Sequence, residues 1–228
     1  MVAIDARRDN VATLHGDDPF ADGPVVEPVV RICTPTAPAI VLGSRQTPEL
    51  LDLVRVAARG LDVVRRRSGG GAVLLRPGDV VWIDLVLPHG LAPDDVRGSM
   101  IWAGTCWQAA LVELGAVADD VRVHDGGMEC TPWSDLVCFA GLGPGEITTA
   151  GRKLVGLSQR RTRHGLRIQG QVHYRSLLDE MPPLFAAAVP SVPIGSTATL
   201  AEVGLGDRTS HDLAAALAAA VAQRTTPM

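Results

Sequence analysis

Short apolar runs, broken by prolines, glycines and charged residues, follow one another along most of this chain. Apolar runs of about four to eight residues between turn residues are typical of β-strands. On this basis strands are predicted at residues 25–32, 39–42, 61–66, 72–75, 80–87, 136–139, 147–149, 154–159 and 166–172.

Apolar residues at helical spacing predict four helices, at residues 47–60, 95–114, 176–188 and 210–223. The first has Thr47 as N-cap, Pro48 in its first turn and Gly60 beyond its end. The second has Asp94 near its N-cap and Gly115 at its stop. Because helices and strands follow in irregular order, the pattern favours an α+β fold with helices packed on a mixed sheet.

The first 24 residues differ from the rest of the chain. They are polar and mixed, with Gly16, Pro19, Gly23 and Pro24 among them, and are expected to form a loosely ordered N-terminal segment. From residue 25 onward the sequence shows no internal repeat and no long linker. Residues 25–228 are therefore expected to form a single domain.

Composition excludes several classes of protein. The net charge of −4 argues against a general nucleic-acid binder, and no apolar run reaches the roughly 18 residues that a membrane span needs. The first residues lack the pattern of a secretory signal, so a cytoplasmic location is expected. The cysteines form no C-x-x-C pair and the six histidines are dispersed, so neither a metal site nor a disulfide framework is predicted. The cysteines are Cys33, Cys106, Cys130 and Cys138.

The cations are distributed unevenly between the two basic residue types. Of the 21 Lys and Arg residues, 20 are arginine, and Lys153 is the single lysine. An ammonium is a compact point charge on a flexible stem, which a guanidinium does not replace. Lys153 is present either by chance or because it has a function, and the residues around it distinguish these two interpretations.

One candidate site is the segment in which Arg65, Arg66 and Arg67 precede Ser68 and three glycines, Gly69, Gly70 and Gly71. Consecutive glycines let the backbone approach a ligand and direct its N–H groups at an anion. No Lys-Ser/Thr pair and no helix follow, so this is not a phosphate-binding P-loop. The alternative is a glycine-rich hairpin with its arginines in solvent, but three preceding arginines favour anion binding.

A second candidate surrounds the single lysine. Lys153 lies between Gly151 and Gly156 at the start of a predicted strand, followed by Ser158 and a strongly basic segment up to Arg163. A cation held there could stabilise negative charge developing on a carboxylate, phosphate or acyl oxygen. The alternative is a solvated basic strand edge. Together with the lysine count, the pattern favours a functional role.

These two segments resemble the hallmark motifs of lipoate–protein ligases. The first is R-R-x-S-G-G-G-A-V at residues 65–73 and the second is G-R-K-x-x-G-x-x-Q-R-R at residues 151–161, with a weaker likeness at residues 41–46. The resemblance covers about residues 30–185. It implies the catalytic fold that this family shares with octanoyltransferases and biotin–protein ligases.

The resemblance implies a role for each matching residue. Arg66 and the Ser-Gly-Gly-Gly segment would line the pocket for the acyl group and its adenylate, and Lys153 would contact the activated carboxyl and phosphate. The substrate- or nucleotide-binding residues expected in this way are Arg66, Ser68, Gly69, Gly70, Gly71, Ala72, Gly151, Gly156 and Ser158.

The position of one cysteine resembles that in a second group of enzymes within the same family. Cys138 and Phe139 precede Lys153 by fifteen and fourteen residues, and Glu146 follows the cysteine by eight. This spacing is similar to that of cysteine-dependent octanoyltransferases, in which the cysteine carries the acyl group as a thioester. A neighbouring cation favours the thiolate that such a step requires. The alternative is that Cys138 is a small buried apolar residue.

Three functions follow from the resemblance. The first is ATP- and magnesium-dependent ligation of lipoate or octanoate, through an acyl-adenylate, to a lysine of a lipoyl-domain protein. The second is ATP-independent transfer through Cys138, with no cofactor. The third is a catalytically silent lipoyl-binding protein, because residues 74–79 lack the histidine and asparagine that many members carry.

The expected acceptor is a lipoyl-domain protein, either a 2-oxoacid dehydrogenase subunit or the glycine-cleavage H protein. An acyl carrier protein or a separate accessory subunit could also take part. The triple glycine favours the ligase, whereas Cys138 favours the transferase.

Overall fold

A seven-stranded mixed sheet forms the centre of the computed structural model, which describes residues 1–187 and 197–225. Its spatial order is β1-β2-β6-β10-β9-β8-β7, and a second sheet has the order β4-β3-β5. The strands are β1 (Ala3–Asp9), β2 (Val29–Pro35), β3 (Ala39–Leu42), β4 (Asp62–Arg65), β5 (Val73–Leu75), β6 (Val80–Leu87), β7 (Arg122–Val123), β8 (Ile147–Thr149), β9 (Arg152–Thr162) and β10 (Gly165–His173).

The two long helices and the small sheet cover opposite faces of the large sheet. The helices are α1 (Val11–Gly16), α2 (Leu53–Ala58), α3 (Val96–Glu113) and α4 (Ser210–Thr225). Along β6, Val81, Ile83 and Leu85 belong to the apolar core that includes α3 and α4. Val80 and Trp82, at the alternate positions, belong to a second core shared with the small sheet. Every residue of β6 is buried because both faces of the strand are covered.

Most predicted strands and helices are confirmed. Strands β3, β6 and β8 have the predicted bounds. Helix α3 is one residue shorter than predicted at each end, and α4 begins at the predicted residue and ends two residues later. The helix predicted at 47–60 is shorter, with a 3-10 turn at Pro48–Leu50 before α2. None of the described helices is long and apolar enough to cross a bilayer.

Three local predictions are wrong. Residues 1–24 are not loosely ordered, because β1 pairs in parallel with β2 and Asn10 caps α1. No strand forms at 136–139, where one is predicted, and residues 138–140 form a 3-10 turn. The helix predicted at 176–188 is replaced by 3-10 turns at Leu178–Glu180 and Pro182–Leu184, since the adjacent prolines interrupt a helix; residue 188 lies outside the described residues.

The N-terminal segment is held by charge pairs that its sequence alone does not reveal. Arg31 on β2 donates to Asp5 on β1 at 2.9 Å and also to Asp17 after α1. Arg167 on β10 donates to the backbone carbonyls of Leu14 and Asp17. Carboxylates and backbone carbonyls of this segment therefore bind arginines of the sheet.

A tight hairpin places the single lysine. Ala150 and Gly151 both have positive φ, 48° and 73°, and join β8 to β9. Successive left-handed residues suit the twist of a two-residue hairpin turn. The turn sets the register in which Thr148 pairs with Lys153 at the start of β9.

Candidate active site

A cavity of about 450 Å³ lies between the triple-glycine loop, the start of α3, the loop that precedes β8, and β9. Its wall brings together residues that are far apart in the chain. The lining includes Gly69, Gly70, Gly71, Val96, Arg97, Met100, Met128, Cys138, Gly141, Glu146, Lys153, Leu157, Ser158 and Gln159. Both sequence motifs and the candidate cysteine therefore meet at one cavity.

Lys153 is buried at the wall of this cavity, with 4% of its surface exposed. Its ammonium donates to the backbone carbonyls of Cys138 at 3.0 Å and Gly141 at 3.2 Å. It also lies 2.6 Å from a carboxylate oxygen of Glu146 and 4.9 Å from the centre of the Phe139 ring. The cation is thus fixed at the turn that carries Cys138.

Glu146 provides the counter-charge and joins three segments. Its Oε1 accepts the backbone N–H of Leu157 at 3.0 Å, and its Oε2 accepts that of Gly143 at 2.6 Å. A buried ion pair is maintained only when further hydrogen bonds satisfy the remaining lone pairs, and Glu146 meets this condition. The sequence predicts no role for this carboxylate, because the partners of Glu146 lie on other elements.

Cys138 lies in the 3-10 turn after residue 137 and is partly exposed. Its backbone N–H donates to the Ala72 carbonyl at 3.0 Å, and the Ala72 N–H donates to the Leu136 carbonyl at 2.7 Å. A methyl group placed on Gly70 would lie 3.5 Å from the Cys138 sulfur. The thiol is therefore beside the glycine loop.

The other cysteines have different surroundings. Burial raises the pKa of Cys106 to about 12, and it raises the pKa of Cys33 well above its usual value. Cys130 is exposed, but it is not among the residues that line the cavity. Among the four, Cys138 is the one whose side chain is both accessible and at the cavity.

Arg66 lies inside the fold, beneath the glycine loop, with 5% of its surface exposed. Its guanidinium donates to the carbonyls of Gly69 and Gly71, at 2.8 Å each, and to that of Val41 at 3.4 Å. Its neighbour Arg67 points outward and pairs with Asp18 at 2.8 Å. The expected anion-binding arginine is thus engaged with the backbone.

A polar chain of side chains extends from the cavity to the N-terminal helix. The Ser158 and Ser68 hydroxyls are 3.0 Å apart, and Ser68 donates to Gln169 at 3.2 Å. The Gln169 amide lies 3.4 Å from Nδ1 of His15, whose ring stacks on Trp82. Burial, with help from nearby arginines, lowers the pKa of His15 to about 3, so its ring is neutral.

His15 and Gln169 were not singled out in the sequence. His15 lies in a segment expected to be loosely ordered, and its contact with Gln169 spans 154 positions. Both line a small cavity of about 20 Å³ next to Cys138, a size that suits one water molecule.

The remaining predicted residues are placed as follows. Gly151 lies in the β8–β9 turn and does not line either cavity. Gly156 gives clearance, because a methyl group there would come within 2.9 Å of the Phe139 ring and 3.2 Å of the Lys153 side chain. Ala72 contributes backbone pairing to the Cys138 turn. In the part of the chain that the structure describes, no group of three or more His, Cys, Asp or Glu side chains is arranged to hold a metal ion.

The chain is similar to proteins of one family. The family model of the lipoyl protein ligase A/B catalytic domain matches residues 21–222 of this chain. The octanoyltransferase LipM of Moorella thermoacetica (strain ATCC 39073 / JCM 9320) is 36% identical over 137 residues, which are 59% of this chain and 49% of that protein. The match thus spans about half the length of that curated relative.

Solved structures show the same fold. A crystal structure of lipoate-protein ligase A bound with ATP has a TM-score of 0.75 at 18% identity, over 98% of this chain and 84% of that one. The bipartite lipoate protein ligase of Thermoplasma acidophilum, studied with its E2 lipoyl domain, has a TM-score of 0.72 at 14% identity, over 97% and 82%. The predicted α+β architecture of the lipoate ligase type is confirmed.

Proposed function

Because the chain belongs to the lipoyl protein ligase A/B catalytic-domain family, we propose that it transfers a lipoyl or octanoyl group to a lysine of a lipoyl-domain protein, through a thioester on Cys138. The observation that carries this proposal is the meeting of Cys138, Lys153 and the glycine loop at one cavity. The similarity to the octanoyltransferase LipM supports a transferase in particular.

The first step is transfer of the acyl group from a donor thioester. The Cys138 sulfur attacks the acyl carbonyl carbon, a new C–S bond forms, and the C–S bond to the donor breaks. The donor leaves as a thiol and takes the proton that Cys138 loses. An acyl carrier protein is the proposed donor, because it presents an acyl group in thioester form.

The developing oxyanion needs donors that are already in place. Among the described residues, none accepts a hydrogen bond from the backbone N–H of Gly70 or Gly71, although both residues line the cavity. We assign these N–H groups to the oxyanion. The Lys153 ammonium, which is paired with Glu146 and donates to the Cys138 carbonyl, lies at the same turn.

The second step releases the product. The neutral amine of the acceptor lysine attacks the Cys138 thioester, an amide C–N bond forms, and the C–S bond breaks. The amine proton returns to the Cys138 sulfur, so that the thiol is restored. No electron transfer and no nucleotide are needed. The proposed location is the cytoplasm, because this cycle needs a reduced thiol and all four cysteines are free.

The ATP-dependent ligase is the second candidate. The Ser68 to Gly71 segment and the size of the cavity favour it, since an adenylate needs both space and backbone donors. In that case the chain would use lipoate or octanoate with ATP and magnesium, Cys138 would be dispensable, and an accessory subunit could complete the enzyme.

Intact mass of an apo lipoyl domain separates these candidates. One incubation supplies octanoyl carrier protein without ATP, and the other supplies lipoate or octanoate with ATP and magnesium. Product from the first alone supports the thioester route, and product from the second alone supports the ligase. Binding without product in either would overturn both proposals in favour of a silent lipoyl-binding protein.

A further inference from the structure

We propose that Arg66 is a positioning residue, which holds the glycine loop so that its free N–H groups face the reacting acyl carbonyl. In this role Arg66 acts through the backbone and does not itself contact the acyl chain or a nucleotide. The inference rests on the thioester route proposed above, and it differs from the ligand-lining role that the family resemblance implies for this residue.

The contacts of Arg66 are all directed at the main chain. Its Nε and Nη2 atoms both donate to the Gly69 carbonyl, at 3.2 Å and 2.8 Å. Nη2 also donates to the Gly71 carbonyl at 2.8 Å, and Nη1 reaches the Val41 carbonyl at 3.4 Å. No carboxylate of the described chain forms an ion pair with it, although it is almost fully buried. Burying an unpaired charge is costly, which argues for a specific task.

Peptide geometry converts these contacts into an orientation of the loop. In a trans peptide unit the C=O and the following N–H point in opposite directions. Because Arg66 binds the Gly69 carbonyl from below, the N–H of Gly70 points away from the guanidinium. Gly70 has φ = 94°, a conformation open to glycine, so a side chain at this position would strain the loop.

The next peptide unit, which joins Gly70 to Gly71, is restrained by Gly43. The Gly70 carbonyl is so close to Gly43 that a methyl group on Gly43 would lie 1.9 Å from its oxygen. The Gly71 N–H therefore points away from Gly43. The Gly71 carbonyl is held by Arg66, and the Ala72 N–H of the same unit donates to Leu136 at 2.7 Å.

Only a guanidinium can perform this task at this position. Its donors form a planar fork that reaches several acceptors at once, whereas an ammonium is a single point charge. Replacing Arg66 by lysine keeps the charge but removes the fork. The glycine loop then loses the restraint on the Gly69 and Gly71 carbonyls, and its N–H groups are no longer held in place.

The test compares two reactions of Cys138 in the full-length protein. Acylation by a small octanoyl thioester passes through an oxyanion, whereas alkylation by iodoacetamide does not. Both rates are followed by peptide mass spectrometry, so that exposed Cys130 is counted separately. Arg67→Lys is the matched control, because Arg67 is the adjacent arginine and points outward to Asp18.

We expect Arg66→Lys to slow acylation about 100-fold, the usual effect of losing an oxyanion donor, and to leave alkylation within about twofold of the wild-type rate. Arg67→Lys should leave both rates unchanged. Equal acylation rates in Arg66→Lys and the wild type would overturn the positioning role. So would a loss confined to KM that grows with acyl chain length, since it would indicate direct contact with the acyl chain.

A second variant keeps the inference testable if Arg66→Lys does not fold. Gly43→Ala moves the Gly70 carbonyl without touching Arg66, and it should also slow acylation while sparing alkylation. Unchanged acylation in Gly43→Ala would count against the inference. A wild-type protein that forms no acyl-enzyme would refute the thioester route itself, which separates the two failures.

Discussion

Lys153 and Glu146 form an ion pair of 2.6 Å inside the protein, with 4% of the lysine and 6% of the glutamate side chain exposed. The pair links the start of β9 to the loop before β8, and both residues line the main cavity. The carboxylate also accepts two backbone N–H groups. The single lysine of the chain is therefore a fixed charge, not a mobile surface group.

Glu146→Gln should destabilise the protein by about 3 kcal/mol, because it leaves the Lys153 charge buried without its counter-charge. Urea unfolding at neutral pH measures the effect. Glu129→Gln is the control, since Glu129 is largely exposed and should change stability by less than about 0.5 kcal/mol. A Glu146→Gln protein as stable as the wild type would show that the pair contributes little.

Lys153→Arg should abolish acyl transfer, with a loss of about 100-fold or more and the fold retained. A planar guanidinium does not reproduce the compact charge that the ammonium places between the carbonyls of Cys138 and Gly141. Intact mass of the acceptor domain gives the rate, and circular dichroism checks the fold. Transfer at the wild-type rate would show that the single lysine has no catalytic role.

Cys138→Ala should eliminate transfer from octanoyl carrier protein, because no thioester can form. It should cost little stability, since the side chain is partly exposed. Cys130→Ala removes an exposed thiol that does not line the cavity, and it should transfer the acyl group normally. Full activity of Cys138→Ala with ATP and lipoate would favour the ligase.

Stability should fall as the pH is lowered from about 6.5 to 4, because two buried histidines stay neutral in the folded state. Desolvation lowers the pKa of His15 to about 3 and that of His173 to about 4, from 6.5. In this interval the unfolded chain binds more protons, so each histidine contributes a slope of up to about 1.4 kcal/mol per pH unit.

Unfolding by urea at pH 7, 6 and 5 tests this dependence. His15→Phe keeps a ring against Trp82 and should reduce the slope by roughly the contribution of one histidine. His211→Gln changes an exposed histidine and serves as the matched control. Equal slopes in the wild type and His15→Phe would contradict the assignment of a neutral His15.

Elements that depend on local patterns could be predicted from the sequence. The run at 80–87 is apolar except for Asp84 and forms β6, and the apolar, alanine-rich stretch from residue 210 forms α4. The glycine-rich motif and the single lysine can also be recognised from the sequence, because three consecutive glycines and one lysine among 21 basic residues are unusual. These features need only neighbouring residues to be recognised.

The contacts of those residues follow only from the three-dimensional fold. Whether Arg66 or Arg67 turns inward, and which carboxylate pairs with Lys153, depends on the pairing of distant segments. The order of residues 1–16 likewise depends on Arg31 and on the carbonyl contacts of Arg167, more than 150 positions away. Which charges and hydrogen bonds become buried depends on which groups the fold brings together and removes from water. The pattern of residues along the chain does not contain that information.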